Sequence, residues 1–150
     1  MKPRPLWSCP RCHRRFANRH QSHSCGRLEL QHHFRGKDPR IRNLFEAVRR
    51  AAAACGPVIV LGEKTRIAFQ VRMSFAQVTP RTRWLDGHFV FARRLEHPRF
   101  RRIETFSPRN HVHHFRLVSL DEIDGEFRRW MKEAYAVGAQ KHLLRRRRSQ

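Results

Sequence analysis

Acidic residues and long apolar runs are both scarce in this sequence of 150 residues. Twelve Asp and Glu stand against 33 Lys and Arg, which gives a formal net charge of +21. The longest apolar runs, 51–55 and 58–61, fall far short of the roughly 20 residues that a membrane-spanning helix needs. The first residues lead into no apolar segment of the kind that secretory signals contain. We therefore expect a cytoplasmic protein that has no membrane partner.

The common catalytic and cofactor signatures are also missing from the sequence. It contains no Gly-x-Ser-x-Gly element, no complete glycine-rich phosphate loop and no Gly-x-Gly-x-x-Gly motif. The segment 62–65 resembles the end of a phosphate loop, but it lacks the preceding glycine and the helix that should follow. It therefore indicates a hairpin turn. We expect no small-molecule cofactor, and no residue is predicted to be catalytic.

The positive charge comes mainly from arginine, because only five of the 33 basic residues are lysine. Codon bias in a GC-rich genome can enrich arginine, but it does not account for the shortage of acids. A field this positive attracts phosphates, anionic lipids and nucleic acids. The density of charge is highest in residues 1–40, which hold ten basic and two acidic residues.

Composition divides the chain into three parts. Residues 1–27 hold three cysteines and few aliphatic residues, so they need a metal or another staple in order to fold. Residues 28–140 carry the periodic apolar patterns of an α+β domain, with helix, antiparallel meander and helix in that order. Residues 141–150 form a basic tail.

Local signals predict the elements of the α+β domain. Asp38 is a good N-cap and Pro39 suits the first turn of a helix, which closes at Gly56-Pro57. The segment 28–30 suggests a short strand before that helix. A last helix is predicted from Ser119, which forms a capping box with Glu122. Between the helices, a period of two predicts five or six strands, over 58–61, 65–71, 73–78, 84–91, 100–106 and 111–118. The predicted fold is thus an antiparallel sheet flanked by an N-terminal and a C-terminal helix and preceded by a small zinc-binding unit.

The strongest local motif is a Cys-x-x-Cys pair, Cys9 and Cys12, with a second group of ligands about ten residues later. The turn in such a pair brings both sulfurs to one ion, and a second pair completes a tetrahedron. The favoured set is Cys9, Cys12, His23 and Cys25, with His20 as the alternative to His23. Because all four positions are filled by protein, we expect a structural zinc ion. Phe16 and Trp7 are expected to cover the site.

A family resemblance supports this interpretation. The strings that carry it are Trp7-x-Cys9-Pro10-x-Cys12-x-Arg14-x-Phe16 and Gln21-x-His23-Ser24-Cys25. They resemble the opening of an uncharacterised bacterial family known as domain of unknown function 5655, and the resemblance continues in outline to about residue 137. It favours His23 over His20 as a ligand, and it would place a glycine where this chain has His13. The resemblance implies an architecture but no activity.

A second cluster of histidines spans 111–114. In a strand, His111 and His113 share one face and His114 takes the other. Such a pair could act as acid and base beside Glu104 or Asp86. The favoured interpretation is simpler, a solvent-facing strand end in a histidine-rich protein.

Charge and zinc together predict a nucleic-acid-binding protein of low sequence specificity. Arginine is suited to gripping phosphate, because its planar guanidinium forms paired hydrogen bonds. The expected phosphate contacts are Arg11, Arg14, Arg15, Arg19 and Arg27. The alternative is a protein-interaction adaptor that docks on an acidic partner and should show an exposed apolar patch. An enzyme that uses His111 and His113 is the third possibility.

Overall fold

The structure is a computed structural model that describes residues 4–21, 23 and 29–141. Its main body is a six-stranded antiparallel sheet with two α-helices packed on one face, which confirms the predicted α+β class. A separate two-stranded hairpin precedes it. The strands, β1 to β8 in chain order, are Trp7–Ser8, Arg15–Phe16, Ile59–Gly62, Ile67–Gln70, Ser74–Pro80, Leu85–Phe91, Arg102–Ser107 and Asn110–Leu117.

The first helix, α1, spans Pro39–Ala53 and begins as predicted. The Asp38 side chain accepts a hydrogen bond of 3.0 Å from the Arg40 backbone N–H, which caps the first turn. Its apolar stripe is buried against the sheet, and Phe45 lies 5.2 Å from Phe34 between ring centroids. The prediction of a strand over 28–30 is wrong for Leu30, which begins a 3-10 helix, Leu30–Phe34. This helix places Phe34 against α1.

The order of strands in the sheet is β3-β4-β5-β6-β8-β7. The predicted meander therefore holds only as far as β6, since β8 pairs with β6 and β7 lies at the edge. Burial follows the exchange. Strand β8, in the interior, alternates between buried and half-buried residues, whereas β7, at the edge, has no buried residue. Charged residues such as those of β7 are common on edge strands.

The second helix, α2, spans Gly125–Gly138, six residues later than the predicted start at Ser119. The Ser119–Glu122 capping box is present, but it caps a short 3-10 helix, Leu120–Glu122. A second cap follows at once, because the Asp124 carboxylate accepts a hydrogen bond of 2.9 Å from the Phe127 N–H. Two successive caps explain why the sequence signal placed the helix too early.

A β-bulge in β5 lies against the end of α2. Gln70 pairs with Ser74 and Phe69 with Ala76, so Phe75 is the extra residue. Its ring contacts Tyr135 at a centroid distance of 5.3 Å. A Cβ at Gly138 would lie 2.8 Å from the Phe75 Cβ, so glycine allows the helix to approach the bulge.

The two faces of the sheet differ in what covers them. The inner face packs on the helices, with Phe69 against Phe45 of α1 and Phe89 against Phe127 of α2. The opposite face, called the outer face here, carries Gln70, Gln77, His88, His114 and Arg116 among others. The hairpin β1–β2 contacts the outer face through Arg14, which bonds with Glu63 after β3 and with Gln70 of β4. In the part of the chain that the structure describes, no helix has both the length and the apolar character required to cross a membrane.

Candidate metal centre and its surroundings

The hairpin β1–β2 shapes the turn that carries the first two candidate ligands. Trp7 pairs with Phe16 and Ser8 with Arg15. The turn is closed by a 2.9 Å hydrogen bond from the Cys9 N–H to the Arg14 carbonyl, and a second bond of 2.8 Å runs from the His13 N–H to the Cys9 carbonyl. These bonds bend the Cys-x-x-Cys segment back on itself, so that both sulfurs face the same side.

His13 occupies the turn with a left-handed backbone, at φ 62°. Glycine adopts this conformation without steric cost, and histidine tolerates it better than bulkier residues do. The family resemblance expects glycine at this position. The Cys-x-x-Cys turn therefore forms in this chain, but His13 has a backbone conformation that histidine does not favour.

Three candidate ligands converge in the structure. The ligand atoms of Cys9, Cys12 and His23 all lie within 4.8 Å of one another, and the Cys12 Sγ is 3.4 Å from the His23 Nε2. Two sulfurs on one tetrahedral ion are separated by roughly 3.8 Å, as metal–sulfur bonds of about 2.3 Å require. The cluster could therefore hold a metal ion. Cys25, the fourth predicted ligand, lies outside the described residues, as does Arg27.

The orientation of His23 suits a ligand. Its Nδ1–H donates a 2.6 Å hydrogen bond to the Gln21 carbonyl, which turns Nε2 toward the cysteines. Metal-bound histidines usually make such a bond with their second nitrogen. This bond raises the pKa of His23, and burial opposes it. His20, the alternative ligand, packs its ring against Trp7 instead, 5.2 Å away between ring centroids.

Aromatic rings cover the cluster at the two predicted positions. The Phe16 ring lies 4.4 Å from that of His23, and the Trp7 ring lies 6.4 Å from it. Phe16 is buried. An apolar cover limits the access of water to the sulfurs, and it gives this small unit part of the core that its sequence lacks.

Arg14 has a structural role in place of the predicted phosphate contact. Its side chain is only 8% exposed and donates to the Gln70 Oε1 at 2.9 Å and to the Glu63 Oε2 at 3.0 Å. Gln70 in turn donates to the Arg15 carbonyl. These bonds fasten the hairpin to β3 and β4. Sequence reasoning missed this role, because the partners are about 50 residues away along the chain.

His111 and His113 share one face of β8, as predicted, but that face is the inner one. His113 is fully buried, donating from Nδ1 to the His111 carbonyl and accepting from the Leu95 N–H at 2.9 Å. His111 bonds with Thr105 and with the Pro108 carbonyl. The predicted solvent-facing position is therefore wrong. Both rings are satisfied core histidines, and the carboxylates of Asp86 and Glu104 lie on the outer face.

Comparison with known proteins identifies the main body. Residues 30–138 match the family described as domain of unknown function DUF5655. The chain belongs to the DUF5655 family. The matched range begins after the candidate metal ligands, so the hairpin lies outside it. No curated protein and no solved structure shows significant similarity to the chain.

On the outer face of the DUF5655 domain, each carboxylate contacts two basic side chains. Glu63 pairs with Arg14 at 3.0 Å and with Arg66 at 3.9 Å. Asp86 pairs with Arg81 at 3.0 Å and with Arg116 at 2.9 Å. Asp86 holds two guanidinium groups at hydrogen-bond distance and neutralises one, so a positive charge remains at this cluster. At Glu63 only the buried Arg14 is held in this way, and Arg66 is more distant.

Asp86 shows the electrostatic effect of this arrangement. Burial raises the pKa of Asp86, but hydrogen bonds from Arg116 and Arg81 outweigh it, and the pKa is lowered. The Arg116 guanidinium also stacks over the Trp84 ring at 4.3 Å. At the β7 edge, Glu104 accepts from Arg102 at 2.9 Å and contacts His114 at 2.6 Å.

His88 is an outer-face residue that sequence reasoning did not single out. It lies opposite His114 on the neighbouring strand, with the ring centroids 5.4 Å apart. Burial and the positive surroundings of His114 and Arg66 lower the pKa of His88 to about 4. The strict alternation of β6, with Gly87 and Phe89 facing inward, is the signal that could have placed it.

The predicted arginines of the hairpin divide between two environments. Arg11, Arg15 and Arg19 are exposed, whereas Arg14 is buried. The three exposed arginines belong to the same N-terminal segment as the candidate metal ligands.

Proposed function

We propose that this member of the DUF5655 family is a zinc-stabilised, strongly basic protein that binds nucleic acids with low sequence specificity. The observation that carries the proposal is the Asp86 cluster on the outer face, where one carboxylate holds the guanidinium groups of Arg81 and Arg116 and leaves excess positive charge. Arginines fixed in this way on a sheet face can contact the phosphates of a nucleic-acid backbone.

Zinc is the proposed metal of the hairpin. Two thiolates and an imidazole are the ligand set that zinc prefers in small structural sites, and Cys25 would complete the tetrahedron. Such an ion would stabilise the fold of the hairpin and supply no reaction chemistry. Its contribution to binding is to hold the exposed Arg11, Arg15 and Arg19 in fixed positions.

Low specificity follows from the kind of contacts that the outer face offers. Arginines that are already held by carboxylates position a backbone, whereas reading a base sequence requires donors and acceptors that enter a groove. The half-exposed Trp84, covered by Arg116, offers a stacking surface of the kind that single-stranded ligands use.

The alternative, an adaptor for an acidic protein, predicts an apolar patch. The large exposed apolar side chains among the described residues are Ile59, Phe106, Val118 and Leu120. Ile59 and Phe106 lie on strands at opposite edges of the sheet, whereas Val118 and Leu120 both follow β8. The excess of basic side chains on the outer face favours a polyanion over an apolar protein surface.

A salt titration tests the proposal. Binding to labelled duplex DNA, single-stranded DNA and RNA is measured for the intact protein, for Arg81→Glu/Arg116→Glu and for Arg49→Glu/Arg50→Glu. The second pair is exposed on α1, on the far side of the sheet, and is the matched control for net charge. Affinity should fall with salt at a slope of about 0.7–0.9 per phosphate contact.

The two double variants separate a binding face from general attraction. The outer-face variant should weaken binding at least tenfold more than the α1 variant. Equal losses in both variants, with polyglutamate competing as well as DNA, would mean that only the +21 charge is at work. The proposal would then be abandoned in favour of an acidic protein partner.

A further inference from the structure

A cleft lies between the hairpin and the outer face of the sheet. Its volume is about 360 Å³, within the range of small-ligand pockets. Phe16 and His23 contribute one wall from the hairpin, and Gln77 lines it from β5. The cleft thus joins the candidate metal centre to the DUF5655 domain.

The lining of the cleft is strongly positive. Its charged residues are Arg14, Lys64, Arg66, Arg72 and Glu63. Four cations against one carboxylate leave a formal charge of +3. Clefts lined by charge of one sign focus the field and concentrate ligands of the opposite sign.

Neighbouring carboxylates neutralise little of the charge of the basic side chains at the rim of the cleft. Arg72 donates to the Gln140 side chain at 2.8 Å and to the Arg4 carbonyl, and both of these acceptors are neutral. Arg66 is exposed and stands 3.9 Å from Glu63, at the limit of an ion pair. Among the ion pairs of the described residues, none involves Lys64 or Arg72.

Two side chains that line the cleft have an acceptor without a donor. The Gln77 Oε1 and the Glu63 Oε1 are buried and have no hydrogen-bond partner among the described residues, and of the two only Gln77 is uncharged. A buried acceptor left unpaired costs free energy, and a ligand with an N–H or O–H group would relieve that cost. The O–H of inorganic phosphate lies on the same atom group that carries the charge to the rim, whereas a nucleotide brings separate sugar and base donors at a distance from its phosphate.

We propose that this cleft binds the phosphate monoester of a nucleotide, free in solution or at the end of a nucleic-acid strand. A monoester carries a charge of about −1.5 to −2 at neutral pH, more than the single charge of an internal phosphodiester. It therefore matches the +3 lining best. Lys64, Arg66 and Arg72 contact the phosphate, and Gln77 accepts from the sugar or base. The strand-end form rests on the nucleic-acid binding proposed above, and the mononucleotide form does not.

Paired oligonucleotides test the site. Single-stranded 20-mers with a 5′-phosphate or a 5′-hydroxyl, and closed circular single-stranded DNA, are titrated against the full chain, with AMP and inorganic phosphate as competitors. The wild type should prefer the 5′-phosphate about tenfold, the effect of one charge-assisted hydrogen bond. AMP should compete better than inorganic phosphate.

Matched variants locate the effect. Lys64→Ala/Arg66→Ala removes two exposed cations from the rim and should reduce the end preference to within twofold. Arg49→Ala/Lys132→Ala removes the same charges from exposed positions on α1 and α2 and should retain the preference. Gln77→Leu should retain the preference but lose the advantage of AMP over inorganic phosphate.

The results distinguish the two proposals. If circular DNA binds and the wild type treats both oligonucleotide ends alike, with AMP and phosphate inert, the cleft proposal is overturned and nucleic-acid binding stands. If AMP binds and circular DNA does not, the cleft is supported as a mononucleotide site and nucleic-acid binding fails. Loss of the end preference in the control variant would also overturn the cleft proposal.

Discussion

Arg14 and Glu63 form an ion pair of 3.0 Å that joins the metal hairpin to the residue that follows β3. Both side chains are largely buried, at 8% and 14% exposure. Gln70 completes the contact from the neighbouring strand. The hairpin is therefore attached to the DUF5655 domain through a hydrogen-bonded charge, in addition to any contact between apolar side chains.

Removing Arg14 should detach the hairpin from the sheet. Arg14→Ala leaves a buried carboxylate at Glu63 without its closest cation, so the free energy of unfolding should fall by about 3 kcal/mol. Urea denaturation measures the change. The neighbouring Arg15→Ala, at an exposed position, should change stability by less than about 0.5 kcal/mol. Equal effects of the two substitutions would contradict the role given to Arg14.

Replacing His13 by glycine should stabilise the Cys-x-x-Cys turn. The left-handed backbone at φ 62° costs a residue with a Cβ about 1 kcal/mol, part of which glycine loses again in the flexibility of the unfolded chain. His13→Gly should therefore raise stability by about 0.5 kcal/mol and slow metal loss to a chelator. His13→Ala keeps the steric cost and should show no gain. A faster metal loss in the glycine variant would show that the His13 side chain itself contributes.

The two candidate histidine ligands can be separated by metal content. His23→Gln removes the nitrogen that faces Cys12 and should reduce bound zinc well below one ion per chain. His20→Gln is the matched control, because His20 packs on Trp7 away from the cluster, and it should retain a full complement. Atomic emission on the purified proteins measures both. Full zinc content in His23→Gln would show that the convergence of these side chains has another cause.

Three histidines should make the DUF5655 domain sensitive to mild acid. The pKa of His88 is lowered to about 4, chiefly by burial, and burial likewise lowers the pKa of His33 and of His113. Below pH 6.5 the unfolded chain takes up protons at these positions before the folded chain does. The free energy of unfolding should therefore fall from pH 6.5 toward pH 4, by at most about 1.4 kcal/mol per pH unit for each group.

Variants identify which histidine is responsible for the acid sensitivity. His88→Gln should flatten the dependence of stability on pH between 6.5 and 5, measured by urea denaturation at several pH values. His20→Gln, at an exposed position outside the DUF5655 domain, should leave the slope unchanged. A stability that is constant over this window in the wild type would contradict the neutral state of the three rings.

The close approach of α2 to the β5 bulge gives a further test. Gly138→Ala would place a Cβ 2.8 Å from the Phe75 Cβ and 3.0 Å from the Met73 carbonyl oxygen, so the helix must shift. Thermal denaturation should show a loss of about 1–3 kcal/mol. Gly125→Ala is the matched control at the start of α2, where the nearest atom is 3.4 Å away on a flexible arginine, and it should be nearly neutral.

Local signals predicted most of the fold. The cap at Asp38, the alternation of the strands and the Cys-x-x-Cys turn each depend on residues close together in sequence, and the structure contains all three. The order of the strands in the sheet does not depend on residues that are close together in sequence. The exchange of β7 and β8 depends on which strand pairs with β6, and the two segments are similarly polar in sequence, so composition does not predict it.

The candidate site residues also divide into those that neighbouring sequence predicts and those that depend on distant parts of the chain. Cys9, Cys12 and His23 were predicted from spacing and come together in the structure. The burial of Arg14 and the inward face of His111 and His113 could not be predicted, because each depends on a partner layer whose position the sequence does not specify. An arginine beside cysteine ligands suggests phosphate until Glu63 and Gln70 are seen to surround it.

The cleft has one wall on the hairpin and the other on the sheet, so it exists only while the two are docked. A ligand in the cleft and a metal ion in the hairpin would then each favour the same docked arrangement. Thermodynamic reciprocity requires that each strengthen the binding of the other by the same factor. The supply of metal to the cell would in this way set the affinity of a site that contains no metal itself.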